Sequence, residues 1–167
     1  AGYHTRTTKK ELKLLARAIE TIDLTEVLHY EETIGGVAVT VKYLPLRKDS
    51  DGVLLIRDLV VEPEQIINET KNSTYIDSAM DTYLNNAENG YLSRFDTKMQ
   101  DCIIPTAIKL KPDGADEVTE IARQIFLLSE TEVGGNNTLG EGENMLSAFE
   151  THRNTADADT ARIACNT

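Results

Sequence analysis

The hydrophobic period of this chain changes sharply at Gly35-Gly36, and that change restricts it to folds that combine helix with sheet. Before the glycines, Leu12, Leu15, Ile19 and Ile22 recur at helical spacing. They follow Thr8-Lys-Lys-Glu11, a box in which hydroxyl and carboxylate each satisfy an orphan helix N–H. After the glycines, Val37, Val39, Val41 and Tyr43 alternate with Ala38, Thr40 and Lys42, the pattern of a strand with one buried face. The pattern predicts an amphipathic helix over residues 9–22, then an α+β domain with short antiparallel strands and two or more helices. The division falls at residues 1–33 for a helical arm and 34–167 for the domain.

Within the domain, residues 46–52 read as a turn with Asp51-Gly52 at the reversal, and the apolar run Val53-Leu-Leu-Ile-Arg57 as a central strand. Pro63 argues against a long regular element over residues 58–74. Ser78 is placed to cap a helix, with Asp81 three residues on, and Met80, Tyr83 and Leu84 turned inward. Asn85-Asn86 and Asn89-Gly90 end it; Tyr91, Leu92 and Phe95 form a second apolar face. Asp96 caps a further turn carrying Met99 and leading to Cys102. A strand is expected over residues 103–110, a turn over 111–114 and a buried strand over 125–128. Ser129-Glu-Thr-Glu132 is another capping box. A glycine-rich loop over residues 134–142 precedes Met145, Leu146 and Phe149, which return to the core.

Composition removes several function classes. A net charge of -11 disfavours nucleic acid, whose phosphates require clustered Lys and Arg. No run of eighteen apolar residues exists to insert in a membrane. The chain has no Trp and three Phe, so aliphatic residues fill most of the core. Cys102 and Cys165 are too few for a disulfide scaffold and read as buried or half-buried thiols. The acceptor patterns at Asn68, Asn72 and Asn136 are short enough to recur by chance in polar loops.

No reaction announces itself. His4, His29 and His152 lack a second His or Cys at ligand spacing, and no nucleophile elbow or phosphate-binding glycine loop is present. Glu141, Glu143 and Asn144 offer oxygen ligands to calcium, as do Asp113, Asp116 and Glu117, but neither set has the spacing of a helix-loop-helix calcium site. Solvated loop carboxylates are the reading, and the same holds for Glu31-Glu32 and the acidic stretch over residues 58–64. The expectation is therefore no catalytic residue, no metal and no cofactor.

The order of motifs resembles a group of domains in phage and prophage structural proteins and in surface proteins of gut bacteria. The residues that carry it are Leu54-Leu-Ile-Arg57, Tyr75, Ser78, Tyr83-Leu-Asn85, Ile104-Pro105, Phe126-Leu-Leu-Ser129, Glu132, residues 142–149 and Arg162-Ile-Ala164. Those domains are similar to the C-type-lectin-like fold, in the branch that includes formylglycine-generating enzymes and diversified phage receptor-binding proteins. The family continues past Arg-Ile-Ala into an aromatic stretch with a Trp-Leu-Arg-Ser-like motif. This sequence stops at Thr167, so the expected domain is incomplete at its C-terminal side and no binding residue is carried over.

The resemblance implies a non-enzymatic virion structural or adhesion protein, located on the virion or a bacterial cell surface. Its arm would engage other particle proteins and further copies of itself, and its lectin-like domain a host or mucosal surface, glycans included. The alternatives are an enzyme or accessory of the formylglycine-generating type, working through Cys102 or Cys165, and a plain soluble α+β interaction module, cytoplasmic in location.

Overall fold

The computed structural model describes residues 21–58, 74–112, 114–135 and 144–150. They form a mixed α+β arrangement of short antiparallel strands and three short α-helices. A three-stranded sheet has the order β1 (Leu28–Ile34), β2 (Val37–Lys48), β3 (Val53–Arg57). Helix α1 (Ala79–Asn85), a 3-10 turn (Leu92–Arg94) and helix α2 (Thr97–Cys102) follow. Then come a ribbon of β4 (Thr106–Leu110) against β5 (Thr119–Arg123), and helix α3 (Ser147–Glu150). No helix among the described residues is long and apolar enough to cross a membrane. The helix expected over residues 9–22 lies almost wholly outside the described residues, as do the stretch 59–73 and most of the glycine-rich loop.

Gly35 and Gly36 form the two-residue reversal between β1 and β2, both at positive φ (58° and 82°), with Ile34 paired to Val37. That is the geometry a tight hairpin requires and side chains resist. Strand β1 was not anticipated, and residues 28–33, assigned to the arm by sequence, pair with β2 along their whole length. Strand β2 outruns its expected end. It continues to Lys48, so the turn narrows to residues 49–52, where Asp49 Oδ1 accepts from the backbone of Asp51 and Gly52.

β2, not β3, is the central strand. The apolar run of β3 has another cause: it is packed on both faces. Leu55 lies against a core of Val41, Tyr43, Leu84, Tyr91, Leu92 and Phe95. Leu54 and Ile56 lie against a second cluster of Leu46, Leu146 and Phe149. A shift of register between Pro45 and Arg47 accompanies the burial of Leu46 in that second cluster.

Residues 125–128 were expected to be a strand and are not one. The ribbon partner of β4 is β5, and the chain leaves the ladder at Arg123. The Asn85 side chain takes the place of a neighbouring strand there. Its Oδ1 accepts from the backbone N–H of Gln124 (3.1 Å) and Ile125 (3.2 Å), and its Nδ2 donates to the Ile125 carbonyl (2.8 Å). With the polar backbone at Gln124 and Ile125 satisfied by an amide, the chain needs no strand partner at that point. The strand expected over residues 103–110 likewise begins only at Thr106.

The caps at Ser78, Asp96 and Ser129 appear as read, while the box at Thr8–Glu11 lies outside the described residues. Asp81 N–H donates to Ser78 Oγ, Met99 N–H to Asp96 Oδ1, and Ser129 and Glu132 exchange reciprocal bonds of 2.9 and 3.2 Å. Leu146 and Phe149 return to the core as anticipated.

Candidate binding cleft and its buried carboxylates

Three carboxylates are buried among the described residues, Glu132 at 8% exposure and, almost fully, Glu32 at 0% and Asp81 at 2%. Glu32 sits on β1, in register opposite Val39 and therefore on the face that carries Val41 and Tyr43. Its Oε1 accepts from the hydroxyls of Tyr43 (2.5 Å) and Tyr91 (2.6 Å) and from Arg57 Nε (3.1 Å). Its Oε2 accepts from Arg57 Nη2 at 3.3 Å and faces Arg94 Nη1 at 4.0 Å. Arg94 in turn lies over the Tyr91 ring, 5.2 Å from its centre, and donates to the Tyr83 hydroxyl. Burial on its own raises the Glu32 carboxyl, but the bonds from Arg57, Tyr43 and Tyr91 outweigh it and hold the group below its ordinary range. Burial first, and then the adjacent carboxylate, push the Tyr43 and Tyr91 phenols far up; the Tyr91 hydroxyl adds to the rise at Tyr43, while the Tyr43 hydroxyl offsets part of it at Tyr91.

The sequence reading placed Glu31-Glu32 on a solvated face. Glu31 is exposed, as expected; Glu32 is the correction. The strand period assigns alternate residues to opposite faces, and the second glutamate falls on the inner one. The signal present in the sequence was the pairing of a two-glycine turn with Val37, Val39, Val41 and Tyr43. Folding the preceding seven residues back across it puts Glu32 inside.

Asp81, in the first turn of α1, joins that helix to the β4–β5 ribbon. Arg123 Nε donates to its Oδ1 (2.7 Å) and Nη2 to its Oδ2 (2.8 Å), a two-pronged pair. Asn85 Nδ2 adds 3.3 Å to Oδ1, and the Asp77 backbone N–H adds 3.0 Å to Oδ2. The carboxylate bonds push the Arg123 guanidinium further up. Asp77 itself holds a positive φ of 57°, and its exposed carboxylate reaches Arg123 Nη2 at a long 3.4 Å.

Between α1 and the ribbon lies an open cleft of about 480 Å³. Asp77, Thr82 and Asn86 line it from the helix side, and Pro105, Arg123 and Gln124 from the ribbon side. Gln124 is fixed by bonds from its Nε2 to the carbonyls of Gln100 and Ile103, at the C-terminal end of α2. No sequence motif pointed to this cleft, because its walls come from elements some forty residues apart, brought together by bonds such as Asp81–Arg123 and Asn85–Ile125.

The residues weighed for chemistry do not converge. His29 is exposed on β1, Cys102 is a half-buried free thiol ending α2, and Asp116, Glu117 and Asn144 are exposed. His4, His152, Cys165, Asp113, Glu141 and Glu143 lie outside the described residues. Among the described residues no group of three or more His, Cys, Asp or Glu side chains is placed to hold a metal ion.

No curated protein and no solved structure matches the chain. A protein family does: residues 50–167 match the one described as "Domain of unknown function (DUF6273)". That match covers most of the chain, including β3, α1, the ribbon and the cleft between them, and the chain therefore belongs to the DUF6273 family.

Proposed function

We propose that this chain is a non-enzymatic structural and adhesion protein of a phage virion. In this reading it displays a domain of C-type-lectin-like fold to a host or mucosal surface and the glycans there. The segment over residues 9–22 attaches it to other particle proteins and to further copies of itself.

The observation that carries the non-enzymatic part is the saturation of the two most deeply buried carboxylates inside the fold. A general acid or base must offer an oxygen to a substrate proton within hydrogen-bond reach. Glu32 and Asp81 instead commit both oxygens to tyrosine, arginine, asparagine and backbone donors. Adhesion is supported by the open cleft between α1 and the ribbon, whose walls carry Asp77, Thr82, Asn86, Arg123 and Gln124. Display on a particle is supported by the motif order described above and by the helical spacing of Leu12, Leu15, Ile19 and Ile22. A fold does not fix a function, so each part rests on named residues and not on architecture alone.

Retention of the intact chain on immobilised mucin and on intact bacterial cells, beside an albumin-coated surface, tests adhesion. Saturable retention on mucin or cells above albumin is the expected result. Retention no greater than on albumin, on both, contradicts it.

A further inference from the structure

We propose that the cleft between α1 and the β4–β5 ribbon binds a neutral polyhydroxylated ligand, such as a sugar ring, with one ligand hydroxyl seated between Asp77 and Arg123. This deepens the adhesion reading and rests on it.

Charge balance selects the ligand class. The cleft brings together two carboxylates and one guanidinium, and Asp81 is neutralised by its two-pronged bond to Arg123. Only Asp77 is left as surplus, largely in solvent where its charge is screened. An anion meets that carboxylate and a chain of net charge -11, which removes anions. An ammonium cation has only donors and cannot accept from Arg123, whereas a neutral hydroxyl can accept from Arg123 and donate to Asp77.

Hydrogen-bonding capacity points the same way. Asp77 supplies acceptors, Thr82 a hydroxyl that acts in both senses, and Asn86 the Nδ2 donor of an amide whose Oδ1 already accepts from the Glu88 and Asn89 backbone, all on one wall. Across the cleft, the 3.4 Å bond between Arg123 Nη2 and Asp77 Oδ1 is longer than the 2.7 and 2.8 Å bonds from the same guanidinium to Asp81. A hydroxyl inserted there accepts from Arg123 and donates to Asp77, which replaces one weak bond by two good ones and leaves the Asp81 pair intact. Pro105 and Ala122 offer a small apolar surface suited to ring C–H groups, and among the described residues no aromatic side chain lines the cleft to hold a stacked base.

The test is two-dimensional amide NMR of the intact chain, titrated separately with methyl glycosides of galactose, glucose, mannose and N-acetylglucosamine. Each is taken to about 20 mM, which covers millimolar affinities. Lysine methyl ester and methyl glucuronide serve as charged probes. Shifts confined to residues around Asp77, Thr82, Asn86 and Gln124 with at least one neutral glycoside are expected. They should weaken at least fivefold in affinity in Asp77→Asn and in Thr82→Ala, both of which must retain the native amide spectrum. No glycoside shifts, shifts elsewhere, shifts only with a charged probe, or cleft shifts unchanged in both variants would overturn the assignment. Mucin or cell retention that persists alongside any of these results leaves adhesion standing and removes the cleft from it. Loss of retention with glycoside shifts intact does the reverse.

Discussion

The Tyr91 hydroxyl lies 2.6 Å from Glu32 Oε1, joining the residue that precedes the 3-10 turn to a strand that begins the sheet 59 positions earlier. Tyr43 meets the same oxygen and also the Tyr91 hydroxyl at 2.6 Å, so one carboxylate collects the sheet, the turn and Arg57 of β3. Removing its charge leaves the Arg57 guanidinium half-stranded beside an apolar core. Glu32→Gln is expected to lower stability by roughly 3 kcal/mol, at the lower end for a broken buried pair because Arg57 keeps some access to water. Tyr91→Phe, which removes a bond to a charged group, should cost about 2 kcal/mol. Urea unfolding of the two variants beside the parent measures both.

Acid should act through the same group. The Glu32 carboxyl ordinarily titrates near 4.5 and is held lower in the fold. The unfolded chain therefore takes up the proton first, so the contribution is complete above the ordinary value and is lost as pH falls through the depressed one. Parent stability should decline below pH 4.5 with a component that Glu32→Gln lacks. Unfolding free energies of both proteins across that range test it, and parallel curves would contradict it.

At the alkaline end the sign reverses. Tyr43 and Tyr91 are raised above their ordinary value of 10.0, so their contribution is complete below it and falls as pH climbs toward the folded values. Absorbance at phenolate wavelengths should show these two rings ionising only when the chain unfolds, after the more exposed tyrosines.

Asn85 is predicted to matter beyond a helix end. Asn85→Ala removes three bonds to the backbone at Gln124 and Ile125 and leaves those groups without their partner. A loss of about 2–3 kcal/mol is expected. Asn85→Asp keeps the two acceptor bonds but has no donor for the Ile125 carbonyl and sets a second carboxylate against Asp81, and should be no more stable than Asn85→Ala in thermal unfolding.

Gly90 has no room for a side chain. A Cβ there would sit 1.9 Å from the Tyr83 carbonyl oxygen, the same oxygen that accepts from the Tyr91 N–H. Gly90→Ala should destabilise by about 1–3 kcal/mol as the turn opens. It should also displace Tyr91 from Glu32, visible as a lower phenol titration.

The sequence made the local devices legible. Capping boxes at Ser78 and Ser129, the Gly35-Gly36 reversal and the return of Leu146 and Phe149 each depend on a few neighbouring residues. What stayed hidden depends on distant partners. Glu32 looks like any surface glutamate until Tyr43, Tyr91 and Arg57 are placed around it. Ile125-Phe-Leu-Leu128 looks like a strand because nothing local says that Asn85 will satisfy its backbone. The apolar run of β3 was assigned to the sheet centre, but it is an edge strand, half-buried against two cores, and packing by two cores and pairing with two strands leave the same mark.

Attachment to a particle is the account's central claim, and sedimentation of the native protein from its source tests it most directly. The protein, followed by antibody through a density gradient, should travel with phage-sized particles. Leu15→Asp with Ile19→Asp should release it while the amide spectrum of the domain is unchanged. A native protein found only as a free, light species would contradict the account.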